Sequence, residues 1–209
     1  MVFLAEELID AIREVPKVCK YIDIPLQHIH NMTLLRMSRP PQQHTVALLE
    51  RLRGRVPGLV LRTTFISGFP QESEEEHRAL VDFAKGFRFE RMGAFAFSEE
   101  EGTPAAVMEG QVPRRVREKR RDELVALAQA QATAFAESRV GSVVDVLIDS
   151  EQAEGDGGGF VGRTEFEAPD CDPVVFVSCK REDEVSVGQM RRCKIVAATR
   201  TGDLEAVPV

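Results

Sequence analysis

An α/β segment followed by a small all-β barrel is the fold class that the sequence predicts, and three observations predict it. Strand-like and helix-like runs alternate as far as residue 137. Beyond that point Val, Gly and Asp displace the helix formers, and short β-rich runs are separated by turn residues. Charge shifts at the same place: residues 1–137 carry 19 basic and 20 acidic side chains, residues 138–209 carry 8 and 14. The domains are therefore expected at 1–137 and 138–209, joined near Ser138–Gly141.

The elements follow in order. Leu4, Leu8, Ile9 and Ile12 repeat at helical spacing, and Pro16 ends that helix. Lys17–Ile24 alternates as a strand and stops at Pro25. Asn31–Met37 and Gln43–Arg53 read as helices, the second with Val46, Leu49 and Leu52 on one face. Leu59–Ile66 is a buried strand between Pro-Gly and Gly-Phe-Pro. Ser73–Gly86 is a helix opened by a capping box, Ser73 with Glu76. Arg91–Phe97 is a third strand, and Pro113–Glu137 a long helix with Pro in its first turn. In the second part Val143–Asp149, Phe160–Thr164, Val174–Cys179 and Cys193–Thr199 are short strands. Gly155–Gly159 reads as a hairpin loop, and Val187-Gly-Gln as the turn into a final strand. About five such strands suit a closed, OB-like antiparallel barrel.

Strands separated by helices imply parallel βαβ units. Three of them cannot close a barrel or cover both faces of a parallel sheet, so the first part reads as a piece of something larger.

Composition narrows the function classes. The 209 residues carry a net charge of −7, which opposes a general nucleic-acid-binding surface. No apolar run approaches the roughly 18 residues of a membrane span. The acidic, helix-periodic N-terminus is unlike a signal or transit peptide. The cysteines, at 19, 171, 179 and 193, form neither CxxC nor CxxxCxxC, so no metal or cluster site is expected from their spacing.

Five segments, in this order, carry a resemblance: YIDIPLQH (Tyr21–His28) with LLRMSR (Leu34–Arg39), LRTTFISGFPQESEEE (Leu61–Glu76), FSEEEGTPAAVM (Phe97–Met108), QVPRRVREKRRDEL (Gln111–Leu124) and GRTEFEAPDCDPVVFV (Gly162–Val177). Together they resemble the second half of the radical-SAM methylthiotransferases with that family's TRAM domain, and most of all the RimO branch, which modifies an aspartate of a small-subunit ribosomal protein. The fold implied is the C-terminal half of a radical-SAM (β/α) partial barrel plus the TRAM barrel. The activity implied is methylthio transfer with S-adenosylmethionine and 4Fe-4S clusters. The cluster cysteines of that family are missing here, so the chain alone is expected to be inactive, with an N-terminal half supplied in cis or in trans. The expected compartment is a bacterial cytoplasm, or an organelle with bacterial-type ribosomes.

The partner implied is a basic ribosomal protein, which a barrel segment of net −6 would attract. The tRNA-modifying branch is the alternative, disfavoured because that barrel would be more basic; a non-catalytic TRAM binding module is the third reading. By resemblance the cofactor pocket would draw on Gln27, His28, Arg36, Arg39, Ile66, Gly68 and Pro70. Substrate or partner contacts would fall to Thr103, Arg163, Asp170 and Asp172. Each has a plainer reading beside it: Gln27 and His28 as loop packing, Arg36 and Arg39 as surface arginines, Ile66–Pro70 as a strand-to-helix turn, Thr103 as a turn cap. His28 and His30 form an HxH with no third metal ligand nearby. The six basic residues between Arg114 and Arg121 read as a solvated helix face. One departure stands out: Gln71-Glu72-Ser73 occupies the place of the family's Gly-Glu-Thr, which puts the tight turn in question.

Overall fold

The computed structural model describes residues 6–152, 159–179 and 185–209. Leu4 and most of the Gly155–Gly159 loop lie outside the described residues. The chain divides into two compact units, 1–128 and 129–209, and the division falls inside the long helix.

In the first unit three parallel strands, β1 (Tyr21–Asp23), β2 (Val60–Ser67) and β3 (Arg91–Ala96), lie in the order β1-β2-β3. Between and around them run α1 (Glu6–Glu14), α2 (Asn31–Arg36), α3 (Gln42–Arg55), α4 (Glu74–Phe87) and the first half of α5 (Arg114–Arg139). Alternate residues of β2, among them Leu61 and Phe65, meet Ile9 and Ile12 of α1, Leu49 and Leu52 of α3, Leu80 of α4 and Leu124 of α5 in one core. The capping box is present at α4: Ser73 Oγ accepts the Glu76 N–H, and Glu76 Oε2 accepts the Ser73 N–H.

The first strand is shorter than its alternation predicts. It begins at Tyr21, opposite Val60, the first residue of β2. Val18 and Cys19 precede the pairing and are exposed, so Cys19 lies outside the strand in which the sequence reading put it.

The second unit is a closed barrel, β4 (Val143–Glu151), β5 (Phe160–Arg163), β6 (Val175–Val177), β8 (Leu204–Pro208) and β7 (Met190–Ala198), in that order around the ring. Four pairings are antiparallel, and β6 closes on β8 in parallel. Inward residues Val146, Ile148, Val175, Val177, Cys193, Ile195, Leu204 and Ala206 fill it, with Ala136 of α5. Gly162 is required where β5 crosses β4, because a Cβ there would lie 2.3 Å from the Leu147 carbonyl oxygen. The Val187-Gly-Gln turn enters β7, the fourth strand rather than the last. The sequence reading named no strand at β8, which is short and ends on a proline.

Candidate cofactor pocket

In parallel α/β sheets, ligands gather at the carboxyl ends of the strands. At that edge of the first unit lies a cavity of about 320 Å³. Gln27, Arg36, Met37, Ser38 and Arg39 line it from the segment after β1, and Ile66 and Phe69 from the end of β2. Phe97, Thr103, Pro104, Ala105 and Met108 line it from the segment after β3. Backbone pairing sets the first wall: the Gln27 N–H donates to Thr64 O, and the Ile66 N–H donates to Gln27 O. Gln27 is held there at φ 68 and Ser38 at φ 55, a region costly for residues with a Cβ. On the opposite side the Phe69 and Phe97 rings meet edge to face, with centroids 5.2 Å apart.

Five of the residues expected by resemblance thus line one cavity: Gln27, Arg36, Arg39, Ile66 and Thr103. Their hydrogen bonds limit what each can offer. Arg36 donates to Glu76 Oε2 at 2.7 Å and to Thr33 Oγ1 at 3.1 Å, so its charge already faces a carboxylate. Arg39 is exposed and donates to Pro25 O at 3.1 Å. The Thr103 hydroxyl donates to Glu100 O at 2.8 Å and caps its own turn.

Three other expected residues stand outside the lining. His28 is fully buried behind Gln27; its Nδ1 accepts the His30 N–H, and its Nε2 lies 3.9 Å from Glu72 Oε2. Burial lowers its pKa to about 3, so it is a neutral interior imidazole. Gly68, at φ 74, lies close against the long helix: a Cβ there would sit 2.3 Å from Arg117 Cγ, and its N–H donates to Glu72 Oε2. Pro70 is buried in the turn beyond it. In the barrel Arg163 pairs with Asp149 at 2.7 Å, and Asp172 accepts the Ala168 N–H, so both serve local contacts. Asp170 is exposed, at φ 63.

The sequence reading missed a buried charge network beside the cavity. Glu72 Oε2 accepts the N–H groups of Gly68 and Phe69, and Arg120 donates to both its Oε1 and its carbonyl. Burial pushes the Glu72 carboxyl up, against the opposing pull of Arg120 and those N–H groups. Glu76 goes the other way: burial again raises it, but the Arg36 and Ser73 hydrogen bonds outweigh burial and hold it below the usual carboxylate range. Arg117 and Arg120, expected on a solvated face, are buried. Arg117 donates to Phe97 O, Val112 O, Glu99 and Gln111. Interleaved acids in the sequence look solvated, and only the tertiary fold folds these inward.

No group of three His, Cys, Asp or Glu side chains among the described residues could hold a metal ion. Cys19 and Cys171 are exposed, Cys179 is half-buried and Cys193 is buried in the barrel. This donor set does not fit a 4Fe-4S cluster.

Residues 140–209 match the model of the TRAM domain. The ribosomal protein uS12 methylthiotransferase RimO of Desulfitobacterium hafniense (strain Y51) is 46% identical over 181 residues, covering 86% of this chain and 40% of that protein. The chain is a homologue of the C-terminal portion of the RimO methylthiotransferases. Proteins of the same name from Gloeothece citriformis (strain PCC 7424) and Phocaeicola vulgatus are 43% and 42% identical, each over 92% of this chain. The chain spans about two fifths of the length of these curated RimO relatives. The solved structure of the Escherichia coli radical SAM enzyme coproporphyrinogen III oxidase (HemN) aligns over 65% of this chain and 31% of its own, at TM-score 0.47 and 14% identity. No helix among the described residues is long and apolar enough to cross a membrane.

Proposed function

We propose that this chain is the cofactor-pocket wall and TRAM barrel of an enzyme that transfers a methylthio group to an aspartate of ribosomal protein uS12. One observation carries the reading: residues from the ends of all three strands, Gln27, Ile66 and Thr103 among them, converge on one cavity in a homologue of RimO. The cavity would hold S-adenosylmethionine, which when bound supplies the group to be cleaved. Gln27 offers a side-chain amide carried on backbone that the sheet fixes, Arg39 exposed guanidinium donors, and Phe69 and Phe97 an apolar wall that excludes water. The cluster that such chemistry requires finds no ligands among these cysteines; its ligands would come from a further segment, in cis or in trans. Pairing of a −6 barrel segment with a basic ribosomal-protein loop supports uS12 over tRNA as the substrate. The site of action would be wherever bacterial-type ribosomes are found.

Calorimetry with S-adenosylhomocysteine tests the pocket: binding is expected, and Gln27→Ala is expected to weaken it about tenfold, a loss of roughly 1.4 kcal/mol. The chain alone is expected to leave a uS12 loop peptide unmodified. Joined to an upstream segment bearing CxxxCxxC, it is expected to add a methylthio group to the aspartate, read by mass spectrometry. Modification of tRNA instead, or iron–sulfur absorbance from the 209-residue chain after anaerobic reconstitution, sinks the corresponding part of the reading.

A further inference from the structure

The segment after β3 forms the outer wall of the cavity, yet it is mostly exposed and carries only one 3-10 turn, Pro104–Val107. A turn of that length satisfies few of its own carbonyls. Here one side chain gathers them: Gln111 Nε2 lies 2.9 Å from Ala105 O, 3.1 Å from Met108 O and 3.4 Å from Ala106 O. Its other amide atom, Oε1, accepts from Arg117 at 3.3 Å. Arg117 is buried, donates to Phe97 O as well, and stacks its guanidinium 5.3 Å from the Phe97 ring centre. The far end of the same segment is tied separately, by the Gln71 N–H on Gly110 O and Gln71 Nε2 on Glu109 O. Gln111 itself does not line the cavity, whereas Ala105 and Met108 do.

We propose that Gln111, oriented by Arg117, is a positioning residue that fixes the Thr103–Met108 wall of the cavity. Arg117 turns the amide so that its NH2 faces the turn carbonyls and its oxygen faces the guanidinium; the wall keeps its place because that amide cannot flip. The inference rests on the cavity being the cofactor pocket only for its effect on binding, not for its effect on the wall.

Methionine methyl NMR on the full chain separates the two. Met37 lines the cavity from the segment after β1 and Met108 from the segment after β3, whereas Met92, in β3, is not in the lining. Gln111→Glu keeps an acceptor for Arg117 but sets a carboxylate oxygen against the turn carbonyls; Gln111→Met removes both functions at similar volume. In either variant the Met108 methyl is expected to sharpen and move towards its unfolded shift, while Met37 and Met92 stay fixed. S-adenosylhomocysteine affinity is expected to fall about tenfold. An unchanged Met108 resonance overturns the proposal, as does collapse of all three methyl signals in both variants, which would make Gln111 a residue of the whole fold. If the unsubstituted chain binds no S-adenosylhomocysteine, the pocket reading fails, and the Met108 shift still decides the role of Gln111.

Discussion

The two units of this chain fill their interiors differently. The barrel is filled almost wholly by Val, Ile, Leu, Ala and Cys, and the β5–β6 connection buries Glu167 on the N–H and hydroxyl of Thr164. The α/β unit buries His28, Glu72, Glu76, His77, Arg117 and Arg120 beside its cavity. Buried charge is weak evidence for stability, since desolvation offsets most of the attraction, and it is tolerated where each group is paired and hydrogen-bonded. The difference teaches how each unit holds its loops in place. In the barrel, apolar contacts between inward side chains hold the strands. A unit that spends its interior on a hydrogen-bonded ion network fixes loops at the mouth of a pocket.

Removing one partner from each interior tests that contrast. Arg120→Ala leaves the Glu72 carboxylate buried without its cation and is expected to destabilise the α/β unit by about 3–5 kcal/mol in denaturant unfolding. Recovery of most of that loss by adding Glu72→Gln would tie it to the charge; no recovery would assign it to packing. In the barrel, Ile195→Ala opens a cavity in an apolar core and is expected to cost about 2–5 kcal/mol, with no dependence on pH.

Acid sharpens the comparison, because all four histidines lie in the first part of the chain. His28 has a folded pKa of about 3 against 6.5 for a free imidazole. The unfolded chain therefore binds more protons between those values, and stability is lost as pH falls through that window, by up to about 1.4 kcal/mol per pH unit. Glu72 acts with the opposite sign: its raised carboxyl lowers stability as pH climbs past the ordinary carboxylate value of 4.5. The His28 slope is thus read most cleanly just below pH 6.5, and His28→Gln is expected to flatten it. An unchanged slope in that variant would show that another group titrates there.

The smallest effect is expected at Gln71, which stands at φ 64 where the family has glycine. The turn survives the departure because the side chain and N–H bond the 109–110 segment while the backbone accepts the strain. Gln71→Gly relieves about 1 kcal/mol of strain and loses a hydrogen bond of similar size, so the melting temperature is expected to stay nearly constant. Gln71→Ala keeps the strain, loses the bond, and is expected to lower stability by about 1 kcal/mol. Equal melting temperatures for the two variants would remove strain from the account.

Much of the fold was legible because its signals are local. The 2- and 3.6-residue periods, Ser73 with Glu76, and the Gly and Pro stops locate α4, β2 and β3 nearly to the residue. Where partners are distant, legibility fails: Lys17–Cys19 alternate like a strand but lie before the start of the β1–β2 pairing, and β8 exists because β6 and β7 flank it. The site divides in the same way. Gln27, Ile66 and Thr103 could be singled out by family motifs, whereas the packing of Gly68 against Arg117 could not be read from the sequence.

By itself, then, the sequence determined the element order as far as β7, the two-part architecture and the absence of cluster-type cysteine spacing, all of which are encoded in neighbours along the chain. The tertiary structure alone decided which charges are interior. Glu72 and Arg120 are 48 residues apart and look like solvent-facing members of charged runs. They meet only because α5 packs across the carboxyl ends of the strands, where removal from water makes each the other's necessary partner.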